Sequence, residues 1–180
     1  MEIAVAAFIE HGYEAASIGV LADRLGLSKS AIYHHFNSKE EMLDRSLNTA
    51  LEALEGLLVS SEAEGGTAVE QLERVLAGAV RVLVANLPHV TLLLRVRGNS
   101  DVERAALARR RAFDRSVTAL FEAARDEGAI RRDVDARVAE RLVFGMINSI
   151  TEWYRPDGGE DADQMAADVL AIALDGLRTA

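Results

Sequence analysis

No cysteine occurs in the 180 residues, which excludes disulfides, thiolate metal sites and a thiol nucleophile. Proline is nearly as scarce. Only Pro88 and Pro156 are present, so long helices are permitted almost everywhere. No apolar run approaches the length of a membrane span. The start, MEIAVAAFIEHGY, lacks a basic segment and carries Glu2, so it does not read as a signal peptide. A cytoplasmic protein is expected. Basic excess is missing too: the net charge of −9 argues against a general nucleic-acid binder, but not against a specific one whose charge is unevenly placed. Catalytic arrangements are also lacking. His34 and His35 are adjacent and point about 100° apart on a helix, which does not suit one shared ion. His11 and His89 have no ligand-type neighbours, and no serine–histidine–acid order or carboxylate pair stands out. No metal, no cofactor and no enzyme activity are expected.

What is present is organised around SIGVLADRLGLSKSAIYHHF, residues 17–36. Ser17 is a good N-cap, since its hydroxyl can accept an unpaired backbone N–H. Ile18, Leu21, Ala22 and Leu25 then form one apolar helical stripe. Gly26 stands where a helix stops in a left-handed residue, and Leu27 is expected to plug the corner. Ser28 caps a second short helix, from which Ala31, Ile32 and Phe36 turn inward. Two short amphipathic helices around a glycine-containing turn describe a helix-turn-helix. In that motif the second helix enters the major groove of DNA. If Ala31, Ile32 and Phe36 face in, then Ser28, Lys29, Ser30, Tyr33 and His34 face out. Short hydroxyls and a lysine suit phosphates and base edges. Up to residue 45, four basic residues stand against seven acidic ones, yet Lys29 and Lys39 flank the second helix with no acid between them.

The remaining chain reads as helix throughout. Residues 1–11 carry the stripe Ile3, Ala4, Ala7 and Phe8, and Gly12 ends it. Ser38 with Glu41 is a capping box that starts a long helix at Lys39, whose stripe is Leu43, Leu47, Leu51, Leu54 and Leu58. Thr67 and Glu70 repeat the box, and the helix they open is expected to run to Leu87, stopped by Pro88. Residues 90–96 read as a short apolar helix, because no partner strand is evident. Asp101 opens a long helix facing inward with Leu107, Phe113, Val117, Leu120, Phe121 and Ala124, closed by Gly128. Asp135 caps a helix over 136–155, apolar around most of its circumference, and a last helix covers about 162–177. A helix apolar nearly all round is buried on more than one side. The last two helices therefore suggest a homodimer through a four-helix interface, with Met146, Ile150, Val169 and Ile172 in the seam.

Gly12-Tyr13, Ser17-Ile18, Ala22, Gly26-Leu27-Ser28-Lys29, Ile32-Tyr33-His34-His35-Phe36 and Lys39-Glu40 closely resemble the DNA-binding domain of the TetR family of bacterial repressors, over residues 1 to about 45. The resemblance implies operator contacts by Lys29, Tyr33 and Lys39 and a dimer through the last two helices; Ser17, Ser28, Ser30 and His34 complete the expected set of DNA contacts. Such repressors usually carry a basic arm and an extra helical turn before this start. Either the start is displaced, or that arm is lacking. NSITEWYRPD, residues 148–157, resembles a stretch of TetR relatives that control fatty-acid, phenylacetate and steroid breakdown and respond to acyl-coenzyme A thioesters. That implies ligand contacts by Asn148, Trp153, Tyr154 and Arg155. Ser149 and Glu152 depart from the pattern, and Glu152 would repel a phosphorylated ligand. The densest basic stretch, Arg95, Arg97, Arg104 and Arg109–Arg111, reads as a solvated helix face paired with acids such as Glu103 and Asp114 rather than as a phosphate site.

The sequence thus predicts an all-α fold of about nine helices. A three-helix helix-turn-helix domain, 1–45, is joined by a long helix to a ligand-binding and dimerisation domain, 46–180. The expected function is a ligand-responsive repressor that binds double-stranded operator DNA as a homodimer and is released by a small hydrophobic effector, with acyl-CoA the first candidate. A helical scaffold without DNA binding and a small all-α enzyme are the alternatives.

Overall fold

The computed structural model describes the backbone of residues 2–178 and the side chains of these except Glu2 and Leu25. Met1, expected in the first helix, and the Leu25 side chain, expected in the second helix's stripe, lie outside the described residues. Among those described there are nine helices and no strand: α1 Glu2–His11, α2 Ile18–Leu25, α3 Lys29–His35, α4 Lys39–Glu64, α5 Ala68–Ala85, α6 Leu87–Arg95, α7 Asp101–Asp126, α8 Ala136–Trp153 and α9 Ala162–Asp175. The all-α expectation holds. One isolated antiparallel bridge joins Ile130 to Arg178. No single helix among the described residues is long and apolar enough to cross a membrane.

Local chemistry sets most helix ends. The Ser17 hydroxyl accepts the Val20 N–H at 3.3 Å and the Ser28 hydroxyl accepts the Ala31 N–H at 3.1 Å, caps worth about 1 kcal/mol each. Gly26 ends α2 with φ 61°, and the Leu27 N–H returns to the Ala22 carbonyl at 3.0 Å. The Leu27 side chain does not plug the corner, since it is 47% exposed; its backbone alone closes the turn. At α4 the Ser38 hydroxyl accepts the Glu41 N–H at 3.0 Å, but the Glu41 carboxylate reaches one residue further back, to the backbone and side-chain amides of Asn37 at 2.7 Å. Thr67 and Glu70 make the reciprocal box. Pro88 behaves differently from expectation. It sits in the first turn of α6, where its missing N–H needs no partner and its fixed φ suits the helix. It therefore starts a helix, while α5 has already ended at Ala85.

The chain forms two compact units. The first takes residues up to Leu51 together with Asn86–Arg109. Its core holds Ala4, Val5, Ala7 and Phe8 of α1, Leu21 and Ala22 of α2, Ile32 of α3, Leu43 and Leu47 of α4, and Leu92 and Leu93 of α6. Val5 takes the place expected for Ile3, which is exposed. A ten-residue helix apolar at most positions does not by itself say which face turns in. α1 packs on both α2 and α6. Polar links tie α6 to its neighbours: an Arg95 guanidinium N–H donates to the Ile9 carbonyl of α1 at 3.0 Å, and His89 Nδ1 lies 3.1 Å from the Ser46 carbonyl of α4. Glu103 is buried. Instead of pairing with an arginine, its carboxylate accepts the backbone N–H groups of Arg97, Gly98 and Asn99 at 2.7–3.1 Å, which holds the turn before α7.

The second unit takes Glu52–Ala85 and the chain from Arg110 onward. α5 packs against α9 and α8, burying Leu72, Val75, Leu76 and Val80 with Ile147, Ile150, Met165, Ala166 and Val169. Phe113 of α7 meets Phe144 of α8 edge to face at 5.7 Å. Gly78 admits the Leu57 side chain so closely that a Cβ there would lie 2.5 Å from a leucine methyl.

Candidate nucleic-acid interface

The exposed side of α3 presents the residues expected there. Lys29, Ser30, Tyr33 and His34 are all exposed, as is the capping Ser28. Tyr33 is 53% exposed although it is a large aromatic. The Ser28 and Ser30 hydroxyls lie 3.0 Å apart, and His34 stands edge to face with His35. Ser17 caps α2 beside this face. The Lys29 side chain runs back to the first turn of α2: a Cβ added to Gly19 would lie 3.3 Å from Lys29 Cε and 3.4 Å from Ser17 Oγ. The ammonium itself makes no hydrogen bond or ion pair among the described residues.

Two acids of the same unit are held by partners. Glu10 pairs with Arg24, whose hydrogen bond holds its carboxyl below the usual value. Glu41 is likewise lowered, first by the Asn37 backbone N–H, then by the Asn37 side chain and Arg45. Arg45 also lies over the Phe36 ring. α3 itself carries no acidic residue.

Lys39 is placed otherwise than expected. Its ammonium donates to the Tyr13 and Glu14 carbonyls at 2.8 and 3.3 Å and lies over the Tyr13 ring. It secures the α1–α2 turn from the start of α4. Tyr13 in turn meets Phe8 edge to face, and burial raises its phenol pKa, with Glu40, Glu14 and Glu103 adding to the effect.

In the second unit, the four residues expected at a ligand are spread over the end of α8. Tyr154 is buried, Asn148 half-buried, and Trp153 and Arg155 exposed. An Arg155 guanidinium N–H donates to the Tyr154 carbonyl at 3.0 Å, and Glu152 is exposed. None of the four lines the apolar groove of about 300 Å³ between α8 and α9, which is formed by Val134, Ala139, Leu142, Val143, Met146, Ile172, Ala173, Gly176 and Leu177. Of the residues expected in a dimer seam, Ile172 is 70% exposed and Met146 half-buried, whereas Ile150 and Val169 are already covered by their own protomer. Leu142, 69% exposed on the groove's other wall, was not singled out by sequence; its place on an apolar helix was the available signal. Asp114 of α7 and Glu140 of α8 form an acidic pair near Arg110 and Arg141. Burial raises both carboxyl pKa values, and Asp114 raises that of Glu140 further. Among the described residues no group of three or more histidines and acids is placed to hold a metal ion.

A family model described as bacterial regulatory proteins of the tetR family matches residues 1–45, and one described as a tetracyclin repressor-like C-terminal domain matches residues 65–177. The crystal structure of a TetR transcriptional regulator family member from Streptomyces coelicolor A3 is 50% identical, with a TM-score of 0.91 over 98% of this chain and 90% of that one. The HTH-type transcriptional repressor KstR2 of Rhodococcus jostii is 28% identical over 98% of this chain and 88% of its own. The structure of the ketosteroid transcriptional regulator KstR2 of Mycobacterium tuberculosis is 25% identical, with a TM-score of 0.89 over 99% and 93% of the two chains.

Proposed function

The chain belongs to the TetR family of bacterial transcriptional regulators, and on that premise we propose that it is a cytoplasmic repressor that binds a palindromic operator as a homodimer and releases it on binding a hydrophobic effector. The observation that carries this reading is the outward face of α3, where Ser28, Lys29, Ser30, Tyr33 and His34 stand exposed on a helix anchored by Ile32. Ser17 joins this set from α2. Lys39 acts mainly from within, by fixing the turn around Tyr13. Residues 1–45 form the operator-binding domain and 46–180 the effector and dimer domain.

The groove between α8 and α9 supplies the dimer seam. Leu142, Met146 and Ile172 line it, whereas Ile150 and Val169 lie buried in the protomer's own core. For the effector, an acyl-CoA thioester is the first candidate. It is supported by the Asn148 and Trp153-Tyr154-Arg155 stretch and by the likeness to KstR2, named a ketosteroid regulator. Calorimetric titration with acyl-CoAs of increasing chain length, beside the free acids and hydrophobic cations, tests this. Thioester binding that also frees operator DNA is expected. Binding and release by a cation alone would overturn the thioester.

A further inference from the structure

Gly19 occupies the second position of α2, directly after Ile18. Its backbone is not in the left-handed region that calls for glycine, and glycine is a poor helix former. Conformation therefore does not explain it. Its surroundings differ from those of the other glycines inside helices. Gly56 and Gly145 face open space, and Gly78 faces the buried side chain contact with Leu57. At Gly19 the space of the missing side chain is filled by an exposed cation: a Cβ would meet Lys29 Cε at 3.3 Å and Lys29 Nζ at 3.5 Å.

We propose that Gly19 is a specificity-determining position that acts through Lys29. By leaving the first turn of α2 bare, it lets the lysine lie across the gap between the two helices, beside the Ser17 hydroxyl. The proposal rests on the operator-binding reading above and names how that site chooses its sequence. A lysine ammonium in the major groove selects guanine, whose O6 and N7 are both acceptors. Lys29 is the first residue of α3, so its stem could point along several directions; the vacancy at Gly19 fixes one. A single added methyl needs the lysine tip to give by only a few tenths of an ångström. A long side chain at position 19 takes the lysine's place and turns the ammonium toward another base or into solvent. Gly19 thus acts as a positioning residue, and Lys29 as the residue that contacts the base.

A double-mutant cycle tests this. The unaltered chain is first used to select a duplex from a library with a randomised central segment. Affinity for that duplex is then measured for Gly19→Ala, Gly19→Gln, Lys29→Ala and the Gly19→Gln/Lys29→Ala pair, with helical content and melting temperature as checks of folding. Gly19→Ala should stay within about threefold of the unaltered chain, whereas Gly19→Gln and Lys29→Ala should each lose about tenfold or more. Gly19→Gln should cost less than about twofold once Lys29 is already alanine, because coupled residues do not add. Reselection with Gly19→Gln should change the preferred base at one symmetric pair of positions and leave the others. An equal loss from Gly19→Gln on both backgrounds, or an unchanged base preference, overturns the proposal while leaving the regulator reading intact. Failure of the unaltered chain to select any sequence overturns both.

Discussion

The Lys39 ammonium donates to the Tyr13 carbonyl at 2.8 Å and stands 4.1 Å from the centroid of the same residue's ring. One cation thereby ties the start of α4 to the turn that precedes α2. Replacing Lys39 with methionine keeps the stem but removes both interactions, and should destabilise the chain by about 2 kcal/mol. Denaturant unfolding measures this. The salt dependence of operator binding should change by less than about half a unit of slope. A loss of about one unit, expected for a released phosphate contact, with stability unchanged, would instead make Lys39 a DNA contact.

The proposed seam between protomers can be separated from the core by exposure. Ile172 and Leu142 are about two-thirds exposed, whereas Ile150 is 1% exposed. Leu142→Glu and Ile172→Glu should give folded monomers at micromolar concentration, seen by sedimentation with helical content retained. Ile150→Glu should unfold the chain, since an unpaired charge would enter a packed interior. Dimers that persist in both surface variants contradict the α8–α9 seam.

What the sequence made legible is mostly local. Ser17, Gly26, Ser28, Thr67 and Asp135 act on backbone groups within a few residues, so the helix ends they set could be read directly. Pro88 misled, because a proline that stops one helix and a proline that opens the next look alike without the intervening Asn86 geometry. Facing was less legible than helicity. Val5 rather than Ile3 enters the core, Leu27 stays out, and Ile150 and Val169 are covered within one protomer, all decided by neighbours distant in sequence. The site shows the same division. The outward face of α3 follows from one helix period, but the Lys39–Tyr13 bond spans 26 residues, and the meeting of Gly19 with Lys29 depends on how α2 and α3 cross.

The acidic pair on α7 and α8 gives the stability a pH dependence. Folding raises the carboxyl pKa of both Asp114 and Glu140, chiefly through burial. The folded state therefore holds these protons more tightly than the unfolded state. The pair's contribution falls as pH rises from the ordinary carboxylate range, about 4, through the raised values, and is least favourable at neutral pH. Glu140→Gln should raise the melting temperature at pH 7, with the gain shrinking as the pH approaches about 4. Calorimetric scans across that range check it. A lower melting temperature at pH 7 would mean that Arg110 and Arg141 stabilise the carboxylate more than burial opposes it.

An operator-reading face on α3 is the core of the proposed dimeric regulator. Its most direct test is selection of duplex DNA by the purified chain from a randomised pool, followed by affinity measurement with Lys29→Ala and Tyr33→Ala. Enrichment of a single palindrome is expected, bound at least about tenfold more weakly by each variant while both remain folded dimers. No enriched sequence, or a palindrome that both variants bind as tightly as the unaltered chain, would contradict it.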